Sequence, residues 1–308
     1  MSSDNSIADA DAGLADVIAY VDEAGDKGIS RNLTIDRDNG IGLFCSLSFP
    51  VERIVEMRSR FVEGYNRFRA AMPHGAKPHI TDAFKEGNEA WAVVASEVRA
   101  EYFSLIKELE IPVIYEARRL RVDRETHEMN QSWLDEIKAN RQSKILVSKR
   151  PSSSRVESSL MTGLSLKLDC LCEDFGRRKV DVFFDETDLA DMYQETVDRL
   201  RTLGQGREYT FKGFDPEAKK PVVRKARITL QVESGAFRLD ASHLGKICVA
   251  GKDDALVLAT DITANALLYH LNTALSPTDH LNRPESISGW ILEDRVYGVR
   301  DDAIEDVI

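Results

Sequence analysis

The decapeptide AYVDEAGDKG (residues 19–28) decides how the rest of the chain is interpreted. The strand-forming residues 17–21 stop abruptly at two adjacent carboxylates, Asp22 and Glu23. A nearly all-apolar run of this length is typical of a strand buried on both faces. Acids at its end are either an ordinary surface turn or side chains presented for chemistry. Ligands of α/β sheets bind beyond strand ends, so the rest of the sequence has to decide between the two.

A second stretch, VDVFFDETD (residues 180–188), ends in acids in the same way. Its apolar part predicts a strand, and Asp185 and Glu186 follow that strand directly. Asp188 begins a predicted helix, where an aspartate most often caps free backbone N–H groups. For Asp22 and Asp185 the two interpretations, turn and site, are about equally good on this evidence.

A third acid lies in the last strong helical pattern. Residues 256–271 are apolar almost all round a helical wheel, which predicts a buried helix. Asp261 and Asn265 are four residues apart and therefore share one face of that helix. A buried carboxylate costs several kcal/mol unless it is paired, protonated or bound to a metal, and no basic residue lies one turn away. We prefer a metal ion as the partner of Asp261 over a buried hydrogen bond or a distant arginine.

Two strand-end acids and one acid on a buried helix favour Mg²⁺ or Mn²⁺. These hard cations take carboxylate oxygens and keep open positions for phosphate and water. Two such ions about 3.5–4 Å apart activate water and stabilise the leaving oxygen in phosphodiester hydrolysis. Asp22, Asp185 and Asp261 are therefore the predicted metal ligands of a metal-dependent nuclease.

Three stretches, YVDEAGD, VDVFFDETD and LVLATDITANAL, resemble the three signatures of the domain of unknown function 3800 family. Those signatures are a strand-borne D-E-S-G, a later strand that ends in Asp, and a helix that reads roughly L-Q-L-A-D-L-V-A. The resemblance spans residues 17–274. It implies a ribonuclease-H-like fold, a metal-binding acidic site, nuclease activity, and an association with mobile elements and phage-defence genes.

Position by position, the resemblance implies a catalytic set of Asp22, Glu23, Asp185 and Asp261. Glu23 would be an additional metal ligand or would orient one. Glu186 and Asn265 are secondary candidates beside them. The sequence departs from the family pattern at Ala24, where the family has serine, and lacks the Gln that precedes the helix aspartate.

A further departure concerns a histidine. The family carries an E-x-H in its middle region, and here His79 matches the His while Lys77 stands at the position of the Glu. His79 is therefore either a further member of the site or a loop histidine with no catalytic part.

The predicted elements give an α/β fold in which a three-strand antiparallel meander joins parallel strands in a mixed sheet flanked by helices, with helical insertions. The resemblance implies its ribonuclease-H-like version. The meander is predicted from residues 17–21, RNLTID (31–36) and GIGLFCSLSF (40–49), with an Asp-Asn-Gly hairpin signal between the last two. The predicted organisation is as follows: a disordered acidic lead (1–15), one domain (16–275) with a basic loop at about 138–155, and an acidic C-terminal tail (276–308).

The net charge of −11 argues against a general nucleic-acid coat, because phosphate binding depends on Lys and Arg. Two stretches nevertheless contain bases and no acid, KANRQSKILVSKRPSSSR (138–155) and AKKPVVRKAR (218–227). They are either solvated basic loops or patches that track the phosphates of DNA or RNA. In the second case the predicted nucleic-acid-binding residues are Lys144, Lys149, Arg150, Lys220, Arg224 and Lys225.

The sequence lacks the motifs of several other enzyme classes. The sequence has no D-x-D at Asp22, no G-x-x-x-x-G-K-[ST], no G-x-S-x-G and no H-E-x-x-H. The main alternative is a non-catalytic ribonuclease-H-like scaffold that binds nucleic acid or a partner protein, and a homo-oligomer also stays open. Without a signal peptide, a long apolar run or a C-x-x-C pair, the chain is expected in the cytoplasm with its four cysteines as free thiols.

Overall fold

A computed structural model describes most of the chain. The described residues are 15–26, 40–121, 156–185, 187–205, 207–215, 220–228, 241–251 and 253–298, with single helical positions at 125, 128 and 132. The strands are β1 (Val17–Gly25), β2 (Ile41–Pro50), β3 (Val113–Arg119), β4 (Val180–Phe184), β5 (Arg207–Asp215), β6 (Lys220–Ile228) and β7 (Leu244–Val249). The α-helices are α1 (Ile54–Ala71), α2 (Ile80–Ala83), α3 (Glu89–Glu108), α4 (Val156–Asp174), α5 (Thr187–Gln205) and α6 (Ala255–Ala274), and short 3₁₀ helices span Val51–Arg53, Pro284–Ile287 and Glu293–Arg295.

Five strands form one mixed sheet in the order β3-β2-β1-β4-β7. β1 is its central strand, antiparallel to β2 on one side and parallel to β4 on the other. β3 is antiparallel to β2, and β7 is parallel to β4. The predicted α/β class with a mixed sheet is therefore confirmed, and the carboxyl ends of β1, β3 and β4 lie at the same edge of that sheet.

The predicted composition of the antiparallel meander is wrong. The prediction placed RNLTID (31–36) between the first strand and GIGLFCSLSF. In the structure β1 pairs directly with β2 from Val17 opposite Pro50 to Gly25 opposite Gly42. The third antiparallel strand is β3, which comes after α3 in the chain. Residues 31–36 themselves lie outside the described residues.

Helices cover both faces of the sheet. α1, α3 and α6 enclose the larger apolar cluster, to which β1 contributes Tyr20 and Ala24. α4 and α5 enclose the second cluster, to which β1 contributes Val17, Ala19 and Val21. Successive residues of a strand point to opposite faces, so the two clusters divide the side chains of β1 between them. None of the helices described has both the length and the apolarity to cross a membrane.

β5 and β6 form a separate two-stranded antiparallel hairpin. The second basic stretch (218–227), considered as a loop, is therefore for the most part a strand. Arg224 pairs with Phe211, and Lys225 with Thr210, in the register of that hairpin. β6 includes Lys220 and ends at Ile228.

The C-terminal segment packs along the edge strand β3. Leu281, Ile287, Trp290 and Leu292 are buried in the larger cluster, so the packed core includes part of the segment predicted as a tail. The Asn282 side chain accepts a hydrogen bond from Ala117 N (3.0 Å) and donates one to Ala117 O (2.9 Å). This amide satisfies backbone groups that an edge strand otherwise leaves to solvent.

A buried ion pair connects β3 to α4 beneath that segment. Lys167 Nζ lies 2.8 Å from Glu116 Oε2 and donates a hydrogen bond to Tyr115 O at 2.8 Å. Both charged residues are buried. Removing one member of such a pair leaves the other charge desolvated and poorly compensated.

We predict that Lys167→Met lowers the free energy of unfolding by about 3–5 kcal/mol, because Glu116 then keeps its charge without its closest cation. Arg60→Met is the matched control, since it breaks an exposed 3.0 Å pair with Glu108 and should cost less than about 1 kcal/mol. Urea denaturation followed by circular dichroism measures both. Equal losses in the two variants would contradict the buried pair's structural role.

Candidate active site

Three acids that are distant in sequence line a single cleft. Asp22, Asp185 and Asp261 are joined there by Pro78, His79, Val257 and Leu258. The acids come from the last residues of β1, the position after β4, and the middle of α6. The cleft therefore lies at the carboxyl edge of the central strands, under α6 and the α1–α3 connection.

Asp22 reaches the cleft because of strand alternation. It lies on the same face of β1 as Tyr20 and Ala24, the face that α6 covers. Its relative exposure is only 7%. Cys45 is its cross-strand neighbour on β2, and burial, followed by the charge of Asp22, raises the pKa of the Cys45 thiol. Asp22 is therefore a largely buried carboxylate that lies beside the Cys45 thiol.

Asp185 comes next to Asp22 through the parallel pairing of β1 and β4. The described register ends with Val21 opposite Phe184, so Asp22 and Asp185 are the next positions on the two strands. One residue pair earlier, the rings of Tyr20 and Phe183 stack with centroids 5.3 Å apart. This stacking fixes the relative position of the two strands immediately below the acids.

Asp261 is buried, with a relative exposure of 6%, and both of its carboxylate oxygens accept hydrogen bonds. Oδ1 accepts from Asn265 Nδ2 at 2.7 Å, and Oδ2 accepts from Ile80 N at 2.8 Å. His79 Nδ1 lies 3.8 Å from Oδ2. The structure thus provides the buried hydrogen bonds that the sequence interpretation ranked below a metal. Desolvation of Asp261 does not, on its own, require a cation.

The N-terminus of α6 is tied to β1 and α1 by a polar cluster. Asp254 caps the helix by accepting a hydrogen bond from Leu256 N at 2.9 Å. Its other oxygen accepts from Tyr20 at 3.0 Å and lies 3.1 Å from Arg58, which also donates to the Tyr20 hydroxyl. Burial, followed by the charge of Asp254, raises the pKa of Tyr20. These contacts set the position of Asp261 two turns further along α6.

The end of β1 approaches the same helix through a glycine. Gly25 has φ = 87°, and a Cβ at this position would lie 2.0 Å from Ile41 O and 3.1 Å from Leu268 of α6. Only glycine fits both the left-handed backbone and the close contact with β2. α6 therefore runs along β1 in the direction of the strand, from Tyr20 through Asp22 to Gly25.

Other predicted residues are not brought into this cleft. Glu23 follows Asp22 on the strand and lies on the opposite face, with Val21 and the second apolar cluster. Lys220 is exposed at the start of β6. Arg224 and Lys225 occupy register positions in the same hairpin. Outside the described residues are Glu186, Lys144, Lys149 and Arg150.

The donor chemistry of the cleft fits a hard divalent cation, because three carboxylates supply only oxygen ligands. Within the part of the chain that the structure describes, however, no group of three or more His, Cys, Asp or Glu side chains is close enough to hold an ion. The three acids therefore share a cleft without forming a closed ligand set. A bound cation would either draw them closer together or be held by fewer of them together with water.

Comparisons of the chain with protein-family models, with curated proteins and with solved structures found no match. The resemblance to the domain of unknown function 3800 family therefore rests on the three short stretches quoted above.

We predict that millimolar Mg²⁺ or Mn²⁺ raises the melting temperature of the parent protein by roughly 5 °C or more, because a ligand that binds only the folded state stabilises it. Asp261→Asn should lose this rise, because it removes one of the three carboxylates of the cleft. Asp198→Asn, an exposed charge change on α5, should keep the rise. A melting temperature that metal leaves unchanged in all three proteins would contradict the metal site.

Proposed function

We propose that this protein is a divalent-metal-dependent nuclease of ribonuclease-H-like fold that hydrolyses phosphodiester bonds. The observation that carries the proposal is the common cleft of Asp22, Asp185 and Asp261 at the carboxyl edge of the central strands. Carboxylates from three separate elements are costly to assemble in one partly buried cleft, since like charges repel in a low-dielectric environment. A bound cation would neutralise the three carboxylates and remove much of this cost.

The architecture supports the ribonuclease-H-like part of the proposal. Three antiparallel strands, β3, β2 and β1, are followed in the sheet by two parallel strands, β4 and β7, with helices on both faces. This is the arrangement of antiparallel meander and parallel strands that the resemblance implies. The first two motifs stand at the carboxyl ends of neighbouring strands, and the third stands on the helix that packs over them.

Asp22, Asp185 and Asp261 are the residues that would hold the metal. When bound, Mg²⁺ or Mn²⁺ supplies an activated water and stabilises the leaving oxygen. Asn265 and the Ile80 N–H orient the Asp261 carboxylate, since each donates to one of its oxygens. The apolar residues Val257 and Leu258 line the same cleft.

His79 lines the cleft and carries a positive charge when it is protonated. Its side chain is partly exposed, with 31% accessible. Its distance of 3.8 Å from Asp261 Oδ2 brings a protonated imidazole within ion-pair range of that carboxylate. In this position a protonated His79 would stand beside the acids and could transfer its proton to a departing oxygen of the substrate.

We predict that Asp22→Asn and Asp185→Asn each lower the rate of oligonucleotide cleavage in Mn²⁺ by at least about 100-fold, because each removes a ligand. Glu23→Gln is the matched control: it changes a neighbouring carboxylate on the other face of β1 and should cut at nearly the parent rate. Gel assays on labelled DNA and RNA measure the rates, and circular dichroism confirms folding. Cleavage by Asp22→Asn at the parent rate would refute the assignment.

A non-catalytic scaffold that binds nucleic acid is the second candidate. One observation favours it: the Asp261 carboxylate is satisfied by protein hydrogen bonds, and no closed ligand set exists among the described residues. This candidate predicts oligonucleotide binding without metal-dependent cleavage, and equal binding by the parent and Asp22→Asn.

A further inference from the structure

We propose that Tyr269 is a stacking platform for an unpaired nucleobase, which makes single-stranded nucleic acid the substrate class of the cleft. This inference rests on the proposed function, because it concerns the strand that enters the acidic site. It adds a residue that the three motifs do not contain.

The position of Tyr269 on α6 relates it to the acids. Asp261, Asn265 and Tyr269 follow one another at intervals of four residues, so they lie along one side of the helix. Tyr269 is eight residues beyond Asp261, which is about 12 Å along the helix axis. Leu268, its neighbour, packs beside Gly25 at the very end of β1. Tyr269 therefore lies on the helix that lines the cleft, near the level at which β1 ends.

The exposure of Tyr269 is unusual for this helix. α6 is otherwise apolar and largely buried, and Leu258, Leu267 and Leu271 are at most 2% exposed. Tyr269 is 73% exposed, the one large apolar side chain of α6 that faces solvent to this extent. A single exposed aromatic residue is common on protein surfaces. One that is in line with a carboxylate cleft offers a flat surface on which a base can stack.

Positive charge lies further along the same path. α6 ends at Ala274, and Arg119 donates a hydrogen bond to Ser276 O at 2.7 Å just beyond it. Arg119 belongs to the segment Arg118-Arg119-Leu120-Arg121, at the carboxyl end of β3 and the same edge of the sheet as the acids. Arg118 pairs with Glu116, and Arg121 is the most accessible of these arginines, with 37% of its side chain exposed and its Nε 3.6 Å from Glu125. Arg119 itself is buried, so a strand that leaves the cleft along α6 would pass the Tyr269 ring and then meet the partly exposed guanidinium of Arg121.

This arrangement favours an unpaired strand over a duplex. A base stacks on an aromatic side chain only when its face is free, and in a duplex the neighbouring bases cover both faces. The expected binding is tolerant of sequence, because every base offers a similar flat surface.

The test is fluorescence anisotropy with labelled oligothymidylate, oligouridylate and a blunt DNA duplex, in Ca²⁺ so that bound strands are not cut. Tyr269→Ala should weaken single-strand binding by about tenfold, since it removes one stacked base. Tyr269→Phe should bind like the parent, because the ring remains. Duplex binding should be the same in all three proteins.

Phe175→Ala is the matched control. Phe175 is an exposed aromatic residue, 60% accessible, that follows α4 and precedes β4, and therefore lies at the opposite edge of the sheet from the cleft. Its loss should leave binding unchanged, and an equal effect of both alanine variants would overturn the proposal.

Two other results would also overturn the platform. If Tyr269→Ala binds single strands like the parent, the platform is excluded, while metal-dependent cleavage by the parent would still support the nuclease. If the parent binds no oligonucleotide and cuts none, the platform and the nuclease fail together. Cleavage assays on the same variants separate these two cases.

Discussion

The pairing of β1 with β2 on one side and β4 on the other is the constraint on which the rest of the structure depends. It places β1 in the centre of the sheet, so that its side chains must enter one of two apolar clusters. It also fixes the register of β4 relative to β1. Asp22 and Asp185 come together as a direct consequence of that register.

α6 completes the cleft because it runs along β1. Tyr20 and Arg58 hold its N-terminal cap, Asp254, and Gly25 admits Leu268 near its other end. Between these two contacts Asp261 has little freedom, and its carboxylate is further oriented by Ile80 N and Asn265. The cleft is therefore built by rigid elements, which is what a catalytic or binding site needs in order to hold its groups in place.

The balance of charge in the cleft separates the two functional interpretations. Two almost fully buried carboxylates, Asp22 and Asp261, lie in a cleft that His79 also lines, with its Nδ1 3.8 Å from Asp261 Oδ2. Hydrogen bonds orient a carboxylate and lower the cost of its burial, but they do not cancel the repulsion between neighbouring negative charges. A divalent cation cancels it, and a protonated His79 cancels part of it.

Much of this arrangement could be predicted from the sequence. The strand around Asp22, the strand that precedes Asp185 and the buried helix around Asp261 each have a clear apolar pattern, and all three are present, although β1 continues past the predicted end to Gly25. Glu23 was predicted as part of the catalytic set, but β1 continues through it, and the two-residue period of a strand puts it on the opposite face from Asp22. The contact from Ile80 N was not predictable, because a backbone donor from a distant loop leaves no pattern in the sequence. The β5–β6 hairpin was missed because its basic residues suggested a loop, and the meander was misassigned because hairpin signals favour pairing between sequence neighbours.

The most direct test of the metal site is crystallographic. Crystals grown with Mn²⁺ should show anomalous density bound by oxygens of Asp22, Asp185 and Asp261, at about the 2.0–2.2 Å expected of carboxylate ligands to a small divalent cation. Such density would mean that the three acids close around an ion they do not enclose without it. A well-ordered cleft without anomalous density, in which Asp261 keeps only its bonds from Ile80 and Asn265, would contradict the metal site and favour the binding scaffold.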